Sequence, residues 1–393
     1  RRRPRVLTAI ISLVSVLITL EVCTRLFRPD FEPVTRLDPE LGLSLKPGMF
    51  RSYFDSEAGR SIQMRTNSLG LRGPEYTVTK PPGVRRIAVF GDSFTEARSF
   101  DERETFCGRL QSLLNADRTG TSLRWEVMNA GSSGYGTSAE LALYRQKIRA
   151  YQPDIVIVCF CPSSDVRDNS AELNRDPVVR SRLDEQGRVE LVPPPAESVK
   201  SDPKNWSQLY RWQQQKIKTL VEKFRTRAEK PEDKVVQITL VPPPAPIERA
   251  WDLTSKLLRK FRTEVESEGA EFLVVTIPQC WQIQPDQFEI MCLQAVSSDS
   301  VSVDYPVHRL IGICDEQTIS LLDLTESFRA AYPYQDSSRS DEWLFLNGRG
   351  HLNARGHDLV AAEIFRFLSS RESLEPRAAG KLARNPHERA RVR

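Results

Sequence analysis

The stretch "IAVFGDSFTEA", residues 87–97, decides the fold class, because it joins a short apolar run to a turn and then to residues that suit a helix. The run 87–90 has the composition of a buried strand. Ser93 follows it at the expected start of a helix, where free N–H groups and the helix dipole stabilise an anion. The stretch alone leaves two interpretations open: Ser93 is a nucleophile at the carboxyl edge of a sheet, or Asp92 or Ser93 caps an ordinary helix.

Strand-like and helix-like segments alternate along the rest of the chain. The strand-like runs are 87–90, 125–130, 154–160 and 271–278, and the stretches that suit amphipathic helices lie near 101–116, 137–151 and 249–268. Strands that alternate with helices indicate a parallel sheet covered by helices on both faces. The sequence therefore predicts a three-layer α/β/α domain over residues 81–370.

Other segments lie before, inside and after this domain. Residues 28–80 are polar and turn-rich, and we expect them to connect the N-terminus to the domain. Residues 171–248 form an insertion that is too long for a structureless loop, so we expect a partly helical cap or side element. Its run "VVQITL", residues 235–240, suits a strand within the insertion or at a sheet edge. Residues 371–393 are Arg-rich with few bulky apolar side chains, which predicts a disordered tail.

The N-terminus, residues 1–27, combines an arginine cluster with an apolar run that carries no charge from Val6 to Leu20. A spanning helix needs about 20 mostly apolar residues, and a signal-peptide core about 7–15. No small-x-small cleavage signal follows, which favours an uncleaved transmembrane anchor over a cleaved signal peptide or a buried helix. The positive-inside tendency then places the arginines in the cytoplasm and predicts an exported body, extracytoplasmic or periplasmic.

Charge and cysteine usage exclude some classes of function. The formal net charge of +4 comes from the two ends: four arginines lie in the first five residues, and the last 23 residues hold seven Lys or Arg against three Glu. The body between them is net acidic and has no basic stripe with aromatics, so we expect no nucleic-acid partner. No CxxC pair or His-rich cluster indicates a metal, and nothing indicates a cofactor.

Three further stretches carry residues suited to chemistry. In "VMNAGSSGYGTSAEL", residues 127–141, Gly131 is placed to bring its N–H close to a substrate, while Gly134 and Gly136 permit a tight turn. The strand-like run 154–160 is followed by five polar residues: Ser163, Ser164, Asp165, Asp168 and Asn169. Of the four histidines, His308 lies in an irregular polar stretch and His387 in the tail. The general base of a serine hydrolase must therefore be His351 or His357, in "HLNARGH".

With these pieces in order, the chain from about Asn67 to Leu368 resembles the SGNH/GDSL hydrolases, in particular their membrane-anchored bacterial branch, which often shows an "NSLGLRG" block before the first strand. The resemblance implies a flavodoxin-like sheet. It implies that Ser93 is the nucleophile, that Gly131 donates an oxyanion N–H, and that His351 is the general base. It gives His357 a structural role.

Two positions depart from that family's pattern. The third block usually ends in "GND", whose Asn completes the oxyanion hole, whereas Ser164 stands here. The Asp that the family places two or three residues before the histidine is replaced by Arg349 or Gly348, and a cation beside a base lowers its pKa. The groups left to orient His351 are the side chains of Asn347, Asp341 and Asp165, or a backbone carbonyl that holds its tautomer.

The resemblance implies an exported, membrane-tethered serine esterase or acyl hydrolase that passes through an acyl-enzyme at Ser93. The expected substrate is a small-molecule or polysaccharide ester, for example the O-acetyl groups of a cell-envelope polysaccharide. Transfer of the acyl group to a polysaccharide hydroxyl uses the same residues and stays open. The two departures motivate a different alternative, a degenerate fold that binds a glycan or a protein without turnover.

Overall fold

A computed structural model gives the structure of the protein. It describes residues 2–27, 34–55, 57–116, 123–195, 207–210, 213–214, 217, 237–284, 301–332, 343–346 and 350–371. The strands are β1 (Thr35–Asp38), β2 (Gly42–Leu45), β3 (Phe50–Asp55), β4 (Arg60–Arg65), β5 (Val84–Gly91), β6 (Arg124–Gly131), β7 (Ile155–Phe160), β8 (Arg180–Leu183), β9 (Val189–Val192), β10 (Glu271–Thr276) and β11 (Ser320–Leu322). The α-helices are α1 (Arg2–Phe27), α2 (Ser93–Glu96), α3 (Phe106–Ala116), α4 (Thr137–Leu143), α5 (Pro162–Asp168), α6 (Ala245–Ser267), α7 (Cys280–Ile283), α8 (Tyr305–Glu316), α9 (Thr325–Ala331) and α10 (Ala354–Ser369).

A five-stranded parallel sheet forms the centre of the domain. Its strand order is β11-β10-β7-β5-β6, and each neighbouring pair is parallel. The strands therefore follow the flavodoxin-like order, in which the first strand of the sheet along the chain lies between the second and the third. This arrangement confirms the predicted parallel sheet with flanking helices.

Both faces of this sheet are covered by helices, as continuous apolar strands require. Alternate residues of β5 point to opposite faces. Ala88 and Phe90 belong to a core that includes residues of α4 and α6, whereas Ile87 and Val89 belong to a second core with residues of α3 and α10. The strand β5 is buried along its whole length, so the turn that follows it is fixed from both sides.

The segment 28–80, expected only as a connection, contains two antiparallel hairpins, β1–β2 and β3–β4. Within the insertion, β8 and β9 form another hairpin. In the stretch 235–240, residues 237–239 form a helical turn and Leu240 makes an isolated bridge to Val301. The prolines at 242–244 lack the N–H groups that a continuing strand needs. Much of the proposed insertion helix and residues 372–393 of the tail lie outside the described residues.

The N-terminal helix α1 contains one segment, Thr8–Phe27, that is long and apolar enough to cross a membrane, and none of it is buried in the body. A signal sequence near an N-terminus can meet the same criteria of length and composition. The helix is thus compatible with the expected anchor by length and composition alone.

Candidate active site

The turn after β5 presents Ser93 at the carboxyl edge of the sheet. The N-cap of α2 is Asp92, whose Oδ1 accepts a hydrogen bond from the Phe94 N–H at 2.8 Å. Gly91 has a φ of +156°, and a Cβ there would lie 2.2 Å from Thr95 Oγ1, so the turn needs glycine. Because Asp92 does the capping, the Ser93 hydroxyl is available for other contacts.

The Ser93 hydroxyl contacts His351, which lies just before α10. Its Nε2 is 2.9 Å from Ser93 Oγ, a hydrogen-bonding distance suited to a nucleophile and its base. Asn353 caps α10 by accepting from the Gly356 N–H at 3.0 Å, and the Leu346 N–H donates to the His351 carbonyl at 2.8 Å. Short-range contacts thus fix the backbone on both sides of the imidazole.

The other ring nitrogen of His351 faces Glu57, in the turn between β3 and β4. Glu57 Oε2 lies 2.9 Å from Nδ1, and Oε1 accepts from the His351 backbone N–H at 3.1 Å. Gly350 allows this approach, because a Cβ at that position would lie 2.5 Å from Oε1. Ser93, His351 and Glu57 therefore form a continuous hydrogen-bonded row of nucleophile, base and carboxylate, which we call the relay.

The hairpin that carries Glu57 is held firmly on the residues after α2. Arg60 pairs with Glu104, the Tyr53 hydroxyl donates to the Arg98 carbonyl at 2.5 Å, and the Gln63 N–H donates to Asp101 Oδ1 at 2.7 Å. The inward-facing side chains Ile62 and Met64 are fully buried. The carboxylate thus comes from an element that is packed on the same segment as the nucleophile.

The electrostatics of the pair agree with their geometry. The hydrogen bond to Glu57 raises the pKa of His351 above its ordinary value, and the same hydrogen bond lowers the pKa of Glu57. A carboxylate on Nδ1 fixes the tautomer that leaves Nε2 as the proton acceptor and stabilises the imidazolium that forms when Ser93 loses its proton.

The orienting group was not among the residues that the sequence suggested. Of those, Asp165 lies in α5 and its Oδ2 accepts from the Cys161 N–H at 2.9 Å. Asp341, Asn347, Gly348 and Arg349 lie outside the described residues. Nothing in the turn sequence near Glu57 distinguishes it from an ordinary hairpin turn, and 294 positions separate it from His351.

The expected oxyanion role of Gly131 needs correction. Its N–H donates to Asn129 Oδ1 at 3.0 Å, and a Cβ there would lie 2.4 Å from the Glu96 nitrogen. Gly131 therefore serves the close packing of β6 on α2, and its N–H is occupied inside the fold. The glycine-rich turn is present, but the glycine that borders the cleft beside Ser93 is Gly134, three residues after Gly131.

Gly134 is better placed to donate. It borders the cleft beside Ser93, has a φ of +80°, and has open space where a Cβ would be. The preceding residue is fixed, because the Ser133 N–H donates to Glu96 Oε2 at 2.6 Å. Among the described residues, no protein group accepts a hydrogen bond from the backbone N–H of Ser93 or of Gly134. These two groups are the candidate oxyanion donors.

Ser164 lies at the same cleft, at the start of α5, after the strand β7 that neighbours β5. Its Oγ lies 3.4 Å from both Asp92 Oδ2 and the Cys161 carbonyl and 3.5 Å from Asp165 Oδ1, so the hydroxyl has three acceptors within the fold, all at long range. Ser164 stands where the family places its oxyanion-hole Asn, and its hydroxyl at this cleft is the candidate third donor. The cleft has a volume of about 330 Å³ and is lined by Asp92, Ser93, Phe94, Gly134, Ser164, Asp168, Gln279, Cys280, Gly350 and His351.

His357 has a different environment from His351. It is fully buried, its Nδ1 accepts from the Phe106 N–H at 3.2 Å, and its ring meets Phe100 edge-on at 4.7 Å. Burial lowers its pKa to about 3, so it is neutral. The structure thus gives His357 the structural position that the resemblance implied.

The "NSLGLRG" block, residues 67–73, contacts the C-terminal end of α2. Arg72 is fully buried, and its guanidinium donates to the carbonyls of Glu96 at 2.7 Å, of Ala97, and of Phe100 at 2.7 Å. It satisfies carbonyls at the end of the short helix that begins at Ser93. The block thus fixes the end of the turn and helix that carry Ser93, and the Arg72 backbone also bridges to Asn129 of β6.

Comparison with protein-family models and with curated proteins gives no match for the sequence. Among solved structures, the chain is similar to a catalytic mutant of Axe2, an acetylxylan esterase from Geobacillus stearothermophilus, with 14% identity, 72% of this chain and 93% of that chain covered, and a TM-score of 0.39. It is also similar to a lipase/acylhydrolase from Enterococcus faecalis, with 14% identity, 73% and 96% covered, and a TM-score of 0.39. A third is TesA, with 11% identity, 73% and 99% covered, and a TM-score of 0.38.

Esterases and acylhydrolases are thus among the solved structures that this chain resembles, at an identity and a TM-score that leave the reaction to be argued from the site. Among the described residues, no group of three His, Cys, Asp or Glu side chains is arranged to hold a metal. Fold and site together define a three-layer α/β protein with a serine–histidine–carboxylate relay at the carboxyl edge of its sheet.

Proposed function

We propose that this chain is a serine esterase of the SGNH/GDSL type, tethered to a membrane by α1, with its body exported. The observation that carries the proposal is the relay itself: 2.9 Å from Ser93 Oγ to His351 Nε2, and 2.9 Å from His351 Nδ1 to Glu57 Oε2. The relay favours catalysis over the alternative of binding without turnover. His351 has no orienting carboxylate near it in the sequence, but Glu57 lies within hydrogen-bonding distance of it in the fold.

The residues support acyl-enzyme chemistry in two halves. Ser93 Oγ attacks the ester carbonyl while His351 Nε2 takes the hydroxyl proton, and Glu57 stabilises the imidazolium. The N–H groups of Ser93 and Gly134 and the Ser164 hydroxyl hold the oxyanion. His351 then returns the proton to the departing alcohol. Water, deprotonated by His351, cleaves the acyl-enzyme and releases the acid.

The lining of the cleft supports a short acyl group on a polyhydroxylated alcohol. Asp168, Gln279 and Ser164 offer polar groups that suit sugar hydroxyls, and a short acyl group with part of a sugar fits a volume of about 330 Å³. We therefore propose O-acetyl groups of a cell-envelope polysaccharide, or a small ester of the same kind, as the substrate class.

Hydrolysis of acetyl and longer-chain aryl esters, and of acetylated oligosaccharides, tests this function on the full chain. We expect acetyl esters to be preferred over octanoyl esters. Ser93→Ala should lower kcat by about 10⁴-fold or more. Ser112→Ala is the matched control, because Ser112 is exposed on α3 and bonds only the Gly108 carbonyl. A folded parent chain that cleaves none of these esters would favour the binding-only alternative.

Export and tethering are tested separately. A C-terminal alkaline phosphatase fusion, which is active only outside the cytoplasm, should be active, and the full chain should stay with membranes after alkaline carbonate washing. Release of the protein by carbonate would contradict the anchor and would leave the esterase assignment standing.

A further inference from the structure

The outer face of the β3–β4 hairpin exposes two large aromatic side chains. Phe50 and Phe54 are 72% and 66% exposed and point to the same side of β3, about 13 Å apart at the rise of a strand. Their cross-strand partners on this face are Arg65 and Ser61, both exposed. We call this surface the outer hairpin face: Phe50, Ser52, Phe54, Ser61, Gln63 and Arg65.

We propose that the outer hairpin face rests on the lipid bilayer to which α1 tethers the chain. Phenylalanine rings enter the boundary between headgroups and acyl chains, and an exposed arginine beside them pairs with lipid phosphate. The proposal rests on the proposed function only through its tether. It goes beyond that function by assigning a second, separate contact between the body and the membrane.

The length of chain between the anchor and the hairpin carries this inference. The helix α1 ends at Phe27, and only seven residue steps lead to Val34, at most about 25 Å of extended chain. The Lys46 N–H donates to the Val34 carbonyl at 2.9 Å, and the Thr66 hydroxyl donates to the Lys46 carbonyl at 2.6 Å. Thr66 directly follows β4, so the tether reaches the body beside the Phe50–Arg65 end of the hairpin.

This short tether makes a small contact area sufficient. Linking two contacts by a short chain converts the second into an intramolecular event with an effective concentration in the millimolar range. Two rings and an arginine form a weak membrane anchor for a free protein, but a useful one for a body that is already held at the surface.

Two other occupants fit the geometry of the outer hairpin face less well. A polysaccharide in the cleft lies on the other side of the hairpin, where Asp55 and Glu57 border a cavity beside Ser93. A second copy of the chain needs about 800 Å² from each partner, which two rings separated by Ser52 and Gln63 do not offer. The bilayer is the occupant that the position of the tether favours.

The contact has a consequence for the site. Glu57 lies in the turn of the same hairpin, so lipid contact at the outer hairpin face places the relay about one sheet thickness, on the order of 10 Å, from the bilayer surface. The esters that reach Ser93 are then those carried by molecules at or near the membrane.

Fluorescence quenching by brominated lipids tests the contact. The full chain is reconstituted into phosphatidylcholine vesicles with a minor share of phosphatidylglycerol, either plain or brominated, as the parent, as Phe54→Trp and as Val78→Trp. Val78 is the matched control, because it is 54% exposed and lies far from the outer hairpin face in the fold. Its carbonyl accepts from Arg86 near the start of β5, at the edge of the central sheet opposite the one that carries Ser93. The six native tryptophans give a background common to all three chains.

We expect bromination to cause an added loss of fluorescence in Phe54→Trp relative to the parent, and no added loss in Val78→Trp. Three results overturn the proposal: no added loss in Phe54→Trp, an equal loss in both variants, or a concentration-dependent emission shift of Phe54→Trp in detergent without lipid, which indicates self-association. Loss of the chain from carbonate-washed vesicles overturns the tether as well, whereas an unquenched but retained Phe54→Trp leaves the tether and the esterase standing.

Discussion

The nucleophile turn and the β3–β4 hairpin each supply one member of the relay, but they are built in opposite ways. Every residue of β5 is buried, and the turn at Gly91–Ser93 is shaped by neighbours a few positions away. The hairpin alternates exposed and half-buried residues along β3 and owes its place to long-range contacts such as Arg60 with Glu104. A residue of the candidate site can therefore be fixed by local backbone geometry or by docking of a distant element.

This difference decides which residues a sequence reveals. The serine stands in a recognisable strand–turn–helix pattern, whereas the carboxylate is defined only by the spatial approach of two segments far apart in the chain. The following substitutions separate the two modes of positioning.

Among the substitutions that test how the site is positioned, Glu57→Gln should give the largest effect, a fall of about 10²–10⁴-fold in kcat, because an amide does not stabilise the imidazolium. The hydrogen bond to Glu57 raises the pKa of His351, and the neutral imidazole is the active base. Activity of the parent is therefore lost as the pH falls through this raised pKa. In Glu57→Gln the pKa falls, so the acidic limb of the kcat/KM profile should move to lower pH.

Glu104→Gln is the control for that profile. It removes the hairpin's ion pair with Arg60 without touching His351. We expect Glu104→Gln to weaken the hairpin and to leave the acidic limb where it is. An unmoved limb in Glu57→Gln would mean that the hairpin has only a structural role.

Ser164→Ala should lower kcat by up to about 10²-fold with little change in KM, because its hydroxyl is one of three oxyanion donors and acts in the transition state. Ser163→Ala is the neighbouring control, since Ser163 is buried and its Oγ lies 3.3 Å from Cys161 Sγ. Steady-state kinetics on an acetyl aryl ester measures both. An unchanged kcat in Ser164→Ala would leave the oxyanion to the backbone N–H groups alone.

His357 should affect stability and its pH dependence. Its folded pKa of about 3 lies below the unfolded value, so the folded chain gives up stability as the pH falls below about 6.5. Between pH 6.5 and 5.5 this histidine alone costs about 1 kcal/mol of the free energy of unfolding. Denaturant titrations of the parent and of His357→Gln should differ by that slope, and parallel pH profiles would contradict the buried neutral state.

Local sequence patterns predicted most of the central sheet of this protein. The strands β5, β6, β7 and β10 and the parallel sheet follow from short apolar runs and the turns after them. The scarcity of histidines limits the base to His351 or His357, and the roles of Ser93 and His351 follow from the family resemblance. The donor glycine was misplaced, because the sequence does not show that Asn129 occupies the Gly131 N–H. Glu57 was missed because its contact depends on how a hairpin docks, which no local pattern encodes.

Labelling with a fluorophosphonate probe, followed by peptide mapping, tests most directly that Ser93 is a nucleophile activated by His351 and Glu57. We expect one covalent adduct, on Ser93, in the parent and in Ser112→Ala. We expect no adduct in Ser93→Ala or His351→Ala, and slowed labelling in Glu57→Gln. A properly folded parent chain that forms no adduct, or forms it at another residue, would rule out Ser93 as the activated nucleophile.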